Sequence, residues 1–173
     1  MIDVRAAAPT DVPELAALLE LYMKEQYGRA WNGSPEALER DGFGARFDVM
    51  VAARGGELVG FAAWAAAYDL HHCVAGSELI DLFVRKDARA RGVALLLIAA
   101  AASEARARGA VYMKGLAVGA PATRRLYERV AMSFDGADII VGGRAFRALA
   151  ELAGRPLREM LLALPRKEWN YQP

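Results

Sequence analysis

Glu78-Leu-Ile-Asp-Leu-Phe-Val84, then Arg85-Lys-Asp-Ala-Arg-Ala-Arg-Gly-Val-Ala94, then the alanine-rich run Leu95–Arg108 closed by Gly109, follow one another without a break. The first segment reads as a strand, the second as a turn, and the third as a helix. The turn therefore stands at a helix N-terminus. There the unpaired amides of Gly92, Val93, Ala94 and Leu95 can face an anion, and the helix dipole adds attraction for negative charge. Gly92 removes the Cβ at one close backbone approach, and Ala94 keeps the second small. Arg85, Lys86, Arg89 and Arg91 gather at the same end. Together these features describe a diphosphate cradle, although the same residues also serve an ordinary strand-to-helix turn with solvated arginines.

The rest of the chain reads outward from this core. Ile2–Ala6 is a short strand. Thr10-Asp-Val-Pro-Glu14 carries the capping, proline and acidic signals of a helix start, and apolar Leu15, Leu18, Leu19, Tyr22 and Met23 continue that helix to about Gln26. Ser34-Pro-Glu opens a second helix that closes near Gly42. Phe47–Ala53 and Glu57–Tyr68 form a hairpin around Arg54-Gly-Gly56. After Gly109, Val111–Val118 is a strand in which Gly115 marks a bulge. Ala122–Val130 is a short helix. Ala137–Val141 and Arg144–Leu149 read as two last strands around Gly142-Gly143, with Ala148–Leu152 also readable as helix. Helices interleaved with a run of strands give the α/β class, with a mixed, mostly antiparallel sheet flanked by helices.

At 173 residues the chain suits one domain, here 1–152, with a tail over 153–173. A net charge of +1 provides no field that favours nucleic acid or an anionic membrane. Leu95–Ala102 falls well short of the ~20 apolar residues a spanning helix needs. Met1-Ile-Asp-Val-Arg5 lacks the apolar region of a secretory signal, and the lone Cys73 allows no internal disulfide, so the expectation is a cytoplasmic protein. Cys73 beside His71 and His72 is too small a cluster for a metal site, and no metal is expected. The tail carries Leu157, Met160, Leu161, Leu162 and Leu164, an apolar stripe that docks on the same chain or across a dimer.

Arg89-Ala-Arg-Gly-Val-Ala94 fits the pattern R/Q-x-x-G-x-G/A, and in its strand and helix context it resembles the acetyl-coenzyme A motif of the GNAT superfamily of N-acetyltransferases. Leu38-Glu-Arg-Asp-Gly-Phe-Gly44, Val59-Gly-Phe-Ala62, Tyr68-Asp69, Asp81-Leu-Phe-Val84 and Arg144-Ala-Phe146 look like the diamine, or spermidine/spermine, acetyltransferase group within it. Glu20–Gln26 resembles that group's first-helix segment. The resemblance implies a GNAT fold, acetyl-coenzyme A as cosubstrate, an amine acceptor and a homodimer. It places the diphosphate over Arg89, Ala90, Arg91, Gly92, Val93, Ala94 and Leu95, and the pantetheine arm along the strand amides near Phe83 and Val84. Leu126-Tyr-Glu128 resembles the segment whose tyrosine lies near the thioester, so Tyr127 is expected to protonate the leaving thiolate.

The chain also departs from the group. Ala120 stands where an asparagine is common, Lys24 where the first helix has a carboxylate, Ile80 where a glutamate precedes Asp81, and Gly143 where a tryptophan precedes Arg-x-Phe. A lysine repels a polycation, so spermidine is not carried over and a small primary amine is expected instead. An alkylammonium of pKa near 10.4 is only about one part in two thousand neutral at pH 7. A base is therefore needed. Asp81 is the residue placed in that role, with Glu78, His71, His72 and Glu25 as alternatives. Two other classes stand beside the enzyme: a degenerate domain that binds acyl-coenzyme A as a sensor or assembly module, and an unrelated helix–sheet binding protein.

Overall fold

The computed structural model describes residues 1–116, 132–133 and 138–164. Its strands are β1 (Ile2–Ala6), β2 (Asp48–Arg54), β3 (Glu57–Asp69), β4 (Val74–Val84), β5 (Tyr112–Leu116), β6 (Met132–Ser133) and β7 (Asp138–Gly142). Its helices are α1 (Val12–Tyr27), α2 (Pro35–Asp41), α3 (Val93–Ala107), α4 (Gly143–Glu151) and α5 (Leu157–Ala163). The strands form one seven-stranded sheet in the order β1-β2-β3-β4-β5-β7-β6. Every pairing is antiparallel except β4 with β5. That parallel pair requires a crossover, and α3 supplies it.

Local signals explain most boundaries. Ser34 caps α2 by accepting from the Ala37 amide at 3.2 Å. Gly28, at φ 67°, ends α1 in the left-handed conformation. Ahead of α1, the Asp11 carboxylate takes two bonds from the Arg5 guanidinium, at 2.6 and 2.8 Å, and one from the Ala8 amide at 2.8 Å. Those bonds hold Asp11 below the usual carboxylate range and tie β1 to the helix start.

The sheet separates two apolar layers. Leu15 and Leu18 of α1 and Leu38 of α2 pack with Val49, Val51, Phe61 and Phe83 on one face. On the other face α3, α4 and α5 pack together over Met50, Val59, Leu79 and Val84. Ala99, Ala101 and Ala102 are fully buried. Small side chains on α3 let its backbone lie close to the sheet.

Four expectations need correction. The strand expected from Glu78 begins at Val74, because its antiparallel ladder with β3 runs all the way to the Asp69–Val74 pair. Arg144–Leu149 is helix, not strand: Phe146, Leu149 and Ala150 recur at helical spacing and are buried against α3. Gly142-Gly143 is thus no hairpin turn, and Gly143 enters α4 at φ 54°, where a side chain is strained. Gly115 pairs in register with both neighbours. The register shifts fall elsewhere, between Ala52 and Ala53 on β2 and between Ala63 and Trp64 on β3. The helix expected over Ala122–Val130 and the end of the strand at Val118 lie outside the described residues.

Met160 of α5 is fully buried within the α3-side layer. Met160→Ala should lower unfolding free energy by about 2–5 kcal/mol. Urea denaturation reads this directly, and a loss below about 0.5 kcal/mol, the range of ordinary surface changes, would mean that α5 is not seated there.

Candidate active site

β4 and β5 pair only over Ser77–Leu79 and Met113–Gly115. From Ile80 to Val84, β4 has no β5 partner among the described residues. Backbone groups on that side of β4 are left for another occupant. The point of divergence coincides with an irregularity: Ala63 pairs with Asp81 and Trp64 with Leu79, so Ile80 is an extra residue on β4. Simple alternation would put Leu79 and Leu82 on opposite faces. In the structure both pack in the α3-side layer. The bulge shifts the phase of everything after it, and Asp81 and Phe83 turn towards α1.

That shift creates the site's central contact. Tyr22 of α1 donates its hydroxyl to Asp81 Oδ1 at 2.7 Å. Burial pushes the Asp81 carboxyl above the ordinary carboxylate range, and the Tyr22 hydrogen bond only partly opposes it. The Tyr22 phenol is driven far upward, first by burial and then by its bond to Asp81, so it remains a donor across the physiological range. Its ring packs 5.7 Å from Phe83 and 6.1 Å from Phe61. By its spacing in the sequence Tyr22 is an apolar-face position of the first helix. Nothing local links it to a residue 59 positions away.

The turn after β4 has the expected build. Gly92 caps α3 at φ 77°, and Leu96 is the first residue to bond back, to the Gly92 carbonyl at 3.1 Å. The amides of Val93, Ala94 and Leu95 therefore have no helical partner, while the Val93 and Leu95 side chains face the core. No acidic residue occupies the first turn. Ala90 also stands at positive φ, 59°. Gly92 has a second reason to be glycine: an added Cβ would lie 2.4 Å from the Leu157 side chain of α5. A substitution there disturbs the turn and the tail helix together.

The basic cluster is less free than its sequence suggests. Arg85 bonds Asp87 at 3.0 and 3.1 Å. Arg89 donates its Nε to the Val84 carbonyl at 2.7 Å, pairs with Glu25 at 2.6 Å and lies over the Phe83 ring. Arg91 is exposed and makes no ion pair among the described residues. The Arg89 backbone stays in the turn, but its guanidinium is engaged elsewhere. Arg91 and Lys86, both exposed and without an ion pair among the described residues, are the side chains of the cluster left to meet an anion.

The alternative bases do not converge on Asp81. Glu25 is held by Arg89, and Glu78 pairs with Lys114 at 3.2 Å. His71 and His72 sit in the β3–β4 turn, where their amides and His72 Nδ1 contact the Asp69 carboxylate, holding its pKa at about 2. Six strand residues separate that turn from the Ala63–Asp81 pair, roughly 20 Å at ~3.3 Å each. Tyr127 and Ala120 lie outside the described residues. Among the described residues no group of three or more His, Cys, Asp or Glu could hold a metal, and no helix is long and apolar enough to cross a membrane.

A cradle of free amides at the helix that crosses from β4 to β5, beside strands that part, defines an acetyltransferase of the GNAT type. The model of the Acetyltransferase (GNAT) family matches residues 15–132, and the chain belongs to that family. Solved structures share the fold. A ribosomal-protein-alanine N-acetyltransferase from Brucella melitensis biovar Abortus 2308 superposes with TM-score 0.65 at 23% identity, over 79% of this chain and 94% of that one. An aminoglycoside acetyltransferase from an uncultured soil metagenomic sample gives 0.61 at 24%, over 79% and 97%. The PaiA N-acetyltransferase of Thermoplasma acidophilum, solved in complex with coenzyme A, gives 0.56 at 15%, over 81% and 96%. No curated protein sequence matches the chain. The family uses acetyl-coenzyme A, and the free amides at the α3 N-terminus, with no carboxylate in that turn, fit its diphosphate.

Because the folded pKa of Asp81 lies above its unfolded value near 3.9, ionising it opposes folding. Its contribution is complete below the unfolded pKa and lost as pH rises through the folded one. Asp81→Asn keeps an acceptor for Tyr22 and carries no charge. It should therefore be at least as stable as the wild type at pH 7, with its advantage vanishing in acid. Thermal melts between pH 3 and 8 test this; an Asn variant clearly less stable at neutral pH would show the carboxylate to be favourably placed.

Proposed function

We propose that the protein transfers an acetyl group from acetyl-coenzyme A to a small primary amine, by direct attack in a ternary complex. The Tyr22–Asp81 pair at the β4 bulge carries this reading. It supplies a carboxylate with raised proton affinity on the stretch of β4 that has no β5 partner among the described residues and that leads into the α3 cradle.

Deprotonating the acceptor ammonium at pH 7 costs roughly 4–5 kcal/mol. Asp81 takes that proton, and its upward shift makes it a better acceptor than an ordinary aspartate. Tyr22, always protonated, keeps the carboxylate oriented. When bound, acetyl-coenzyme A supplies the activated acetyl group and a thiol leaving group. The amides of Val93, Ala94 and Leu95, with Gly92, Ala90 and Arg91 around them, hold the diphosphate, while the β4 backbone near Phe83 and Val84 holds the pantetheine arm. As nitrogen bonds to the carbonyl carbon and the carbon–sulfur bond breaks, Tyr127 delivers a proton to the sulfur, and the second proton that nitrogen sheds on becoming an amide passes through water to restore the Tyr127 phenol. The net proton released is the one held by Asp81, which returns it to solvent.

A short amine suits the surroundings better than a polycation. Glu25 is tied to Arg89, Glu78 to Lys114, and Glu20 accepts from the Trp31 amide at 2.9 Å. Lys24 adds an exposed positive charge on α1. The resemblance of the sequence to diamine acetyltransferases is thus carried over to the reaction and not to spermidine.

Thiol release measured across an amine panel tests the proposal. A short diamine or amino-acid-like amine should exceed spermidine at equal concentration; spermidine as the best acceptor overturns the substrate assignment. Coenzyme A binding with no thiol release from any amine would point instead to a sensor or assembly domain.

Tyr127→Phe removes the phenolic proton and keeps the ring. Turnover should fall about 10²–10⁴-fold, mainly in kcat, with cofactor affinity little changed. Full kcat under conditions where chemistry limits the rate would assign the proton to water or another group.

A further inference from the structure

Arg89 opens the motif from which the cofactor turn was read, yet its guanidinium makes three contacts away from that turn. It donates to the Val84 carbonyl, stands 5.6 Å from the Phe83 ring centroid, and pairs with Glu25 at 2.6 Å. Glu25 belongs to the last turns of α1, three residues after Tyr22, so both side chains project from the same helix face. Phe83 lies between them, touching Arg89 on one side and Tyr22 on the other. The contacts form a continuous chain: Glu25, Arg89, Phe83, Tyr22, Asp81.

The strand itself cannot enforce this arrangement. Past the bulge, β4 is paired on one side with β3 and has no β5 partner among the described residues, and α1 meets it through side chains. The Arg89–Glu25 pair is partly exposed, and pairs of that kind add little to global stability. Its place is what distinguishes it. It joins the carboxyl end of β4 to the C-terminal part of α1, and Tyr22 reaches Asp81 across that junction. Resting on the catalytic reading above, we propose that Arg89 is a positioning residue: with Glu25 it latches α1 onto β4 and so sets Tyr22 against Asp81, while the phosphates are left to the α3 amides and Arg91.

The variants Arg89→Gln, Glu25→Gln and their double combination, made in the full chain, separate this role from phosphate binding. The groups facing Asp81 are Tyr22 and, behind it, Tyr27; those facing Arg89 are Glu25 and the Val84 carbonyl. Three readouts apply. Coenzyme A affinity by calorimetry should change less than about threefold in all three variants, while Arg91→Gln should weaken it about tenfold or more, as loss of a charged hydrogen bond does. kcat/KM for the amine should fall about 10- to 100-fold, the scale of a small misplacement of reacting groups. That loss should be equal with acetyl-coenzyme A and with S-acetylpantetheine, which lacks the diphosphate, and the double variant should be no worse than either single one.

The third readout does not need turnover. In the latch variants water should reach Asp81, and since burial is the larger influence on its pKa, carbon NMR should find its titration moved down towards the ordinary range. An Asp81 titration unchanged in Glu25→Gln overturns the latch even if no amine is turned over, so its failure is distinct from failure of the catalytic reading. Arg89→Gln weakening coenzyme A about tenfold while sparing S-acetylpantetheine overturns it too, and returns Arg89 to the phosphates. If Arg89→Gln fails to fold, Glu25→Gln alone carries both tests.

Discussion

One extra residue in β4, Ile80, governs the geometry of the site. A strand with unbroken alternation would turn Asp81 towards α3, into a layer built of alanine, leucine and valine, where a carboxylate would find no partner. The bulge reverses the phase from that point onward. Leu82 and Val84 are delivered to the α3 side, and Asp81 and Phe83 to α1. The ladder to β5 ends at Leu79, immediately before the same residue. A single insertion therefore coincides with the end of the β5 ladder among the described residues and aims a carboxylate beside that point.

The second half of the site depends on how the crossover is packed. A parallel pair needs a helix between its strands, and the helix begins where β4 ends, which brings its unpaired amides to the open edge. Alanines along α3 allow that close approach to the sheet, α4 packs beside the helix and against β7, and Met160 and Leu157 of α5 join the same apolar layer. Leu157 of α5 reaches the turn itself, against Gly92. The segment after the core domain is thus part of the wall of the turn, and the conformation at Gly92 is coupled to how that segment packs.

The chemistry follows from a balance of unfavourable terms. A half-buried carboxylate resists ionisation, which works against stability at neutral pH and raises its affinity for a proton. The Tyr22 hydroxyl offsets part of that penalty without removing it. Elsewhere in the protein carboxylates are treated differently: Asp11 and Asp69 are surrounded by donors and held low. Asp81 alone of these three is left with burial as its dominant influence.

Much of the architecture is legible in the residues by themselves. Capping and turn signals at Ser34 and Gly55-Gly56, the apolar runs of β2 and β3, and the strand, turn and helix from Glu78 onward are local, because they depend on backbone conformation and on which neighbours a side chain meets within a few positions. The glycine turn at the start of α3 is legible for the same reason. Arg144–Leu149 misleads because two glycines imitate a hairpin, while its burial against α3, a long-range fact, selects the helix. The bulge at Ile80 leaves no mark in composition, since an extra residue is defined only against its partner strand. The partnership of Tyr22 with Asp81, and the capture of Arg89 by Glu25, require two elements far apart in the chain to be laid side by side. The sequence by itself determined most of the elements and the glycine turn that opens α3; the tertiary structure alone decided that Arg144–Leu149 is helix, which face Asp81 takes and which charges remain free, because these depend on pairings that no local stretch of chain contains.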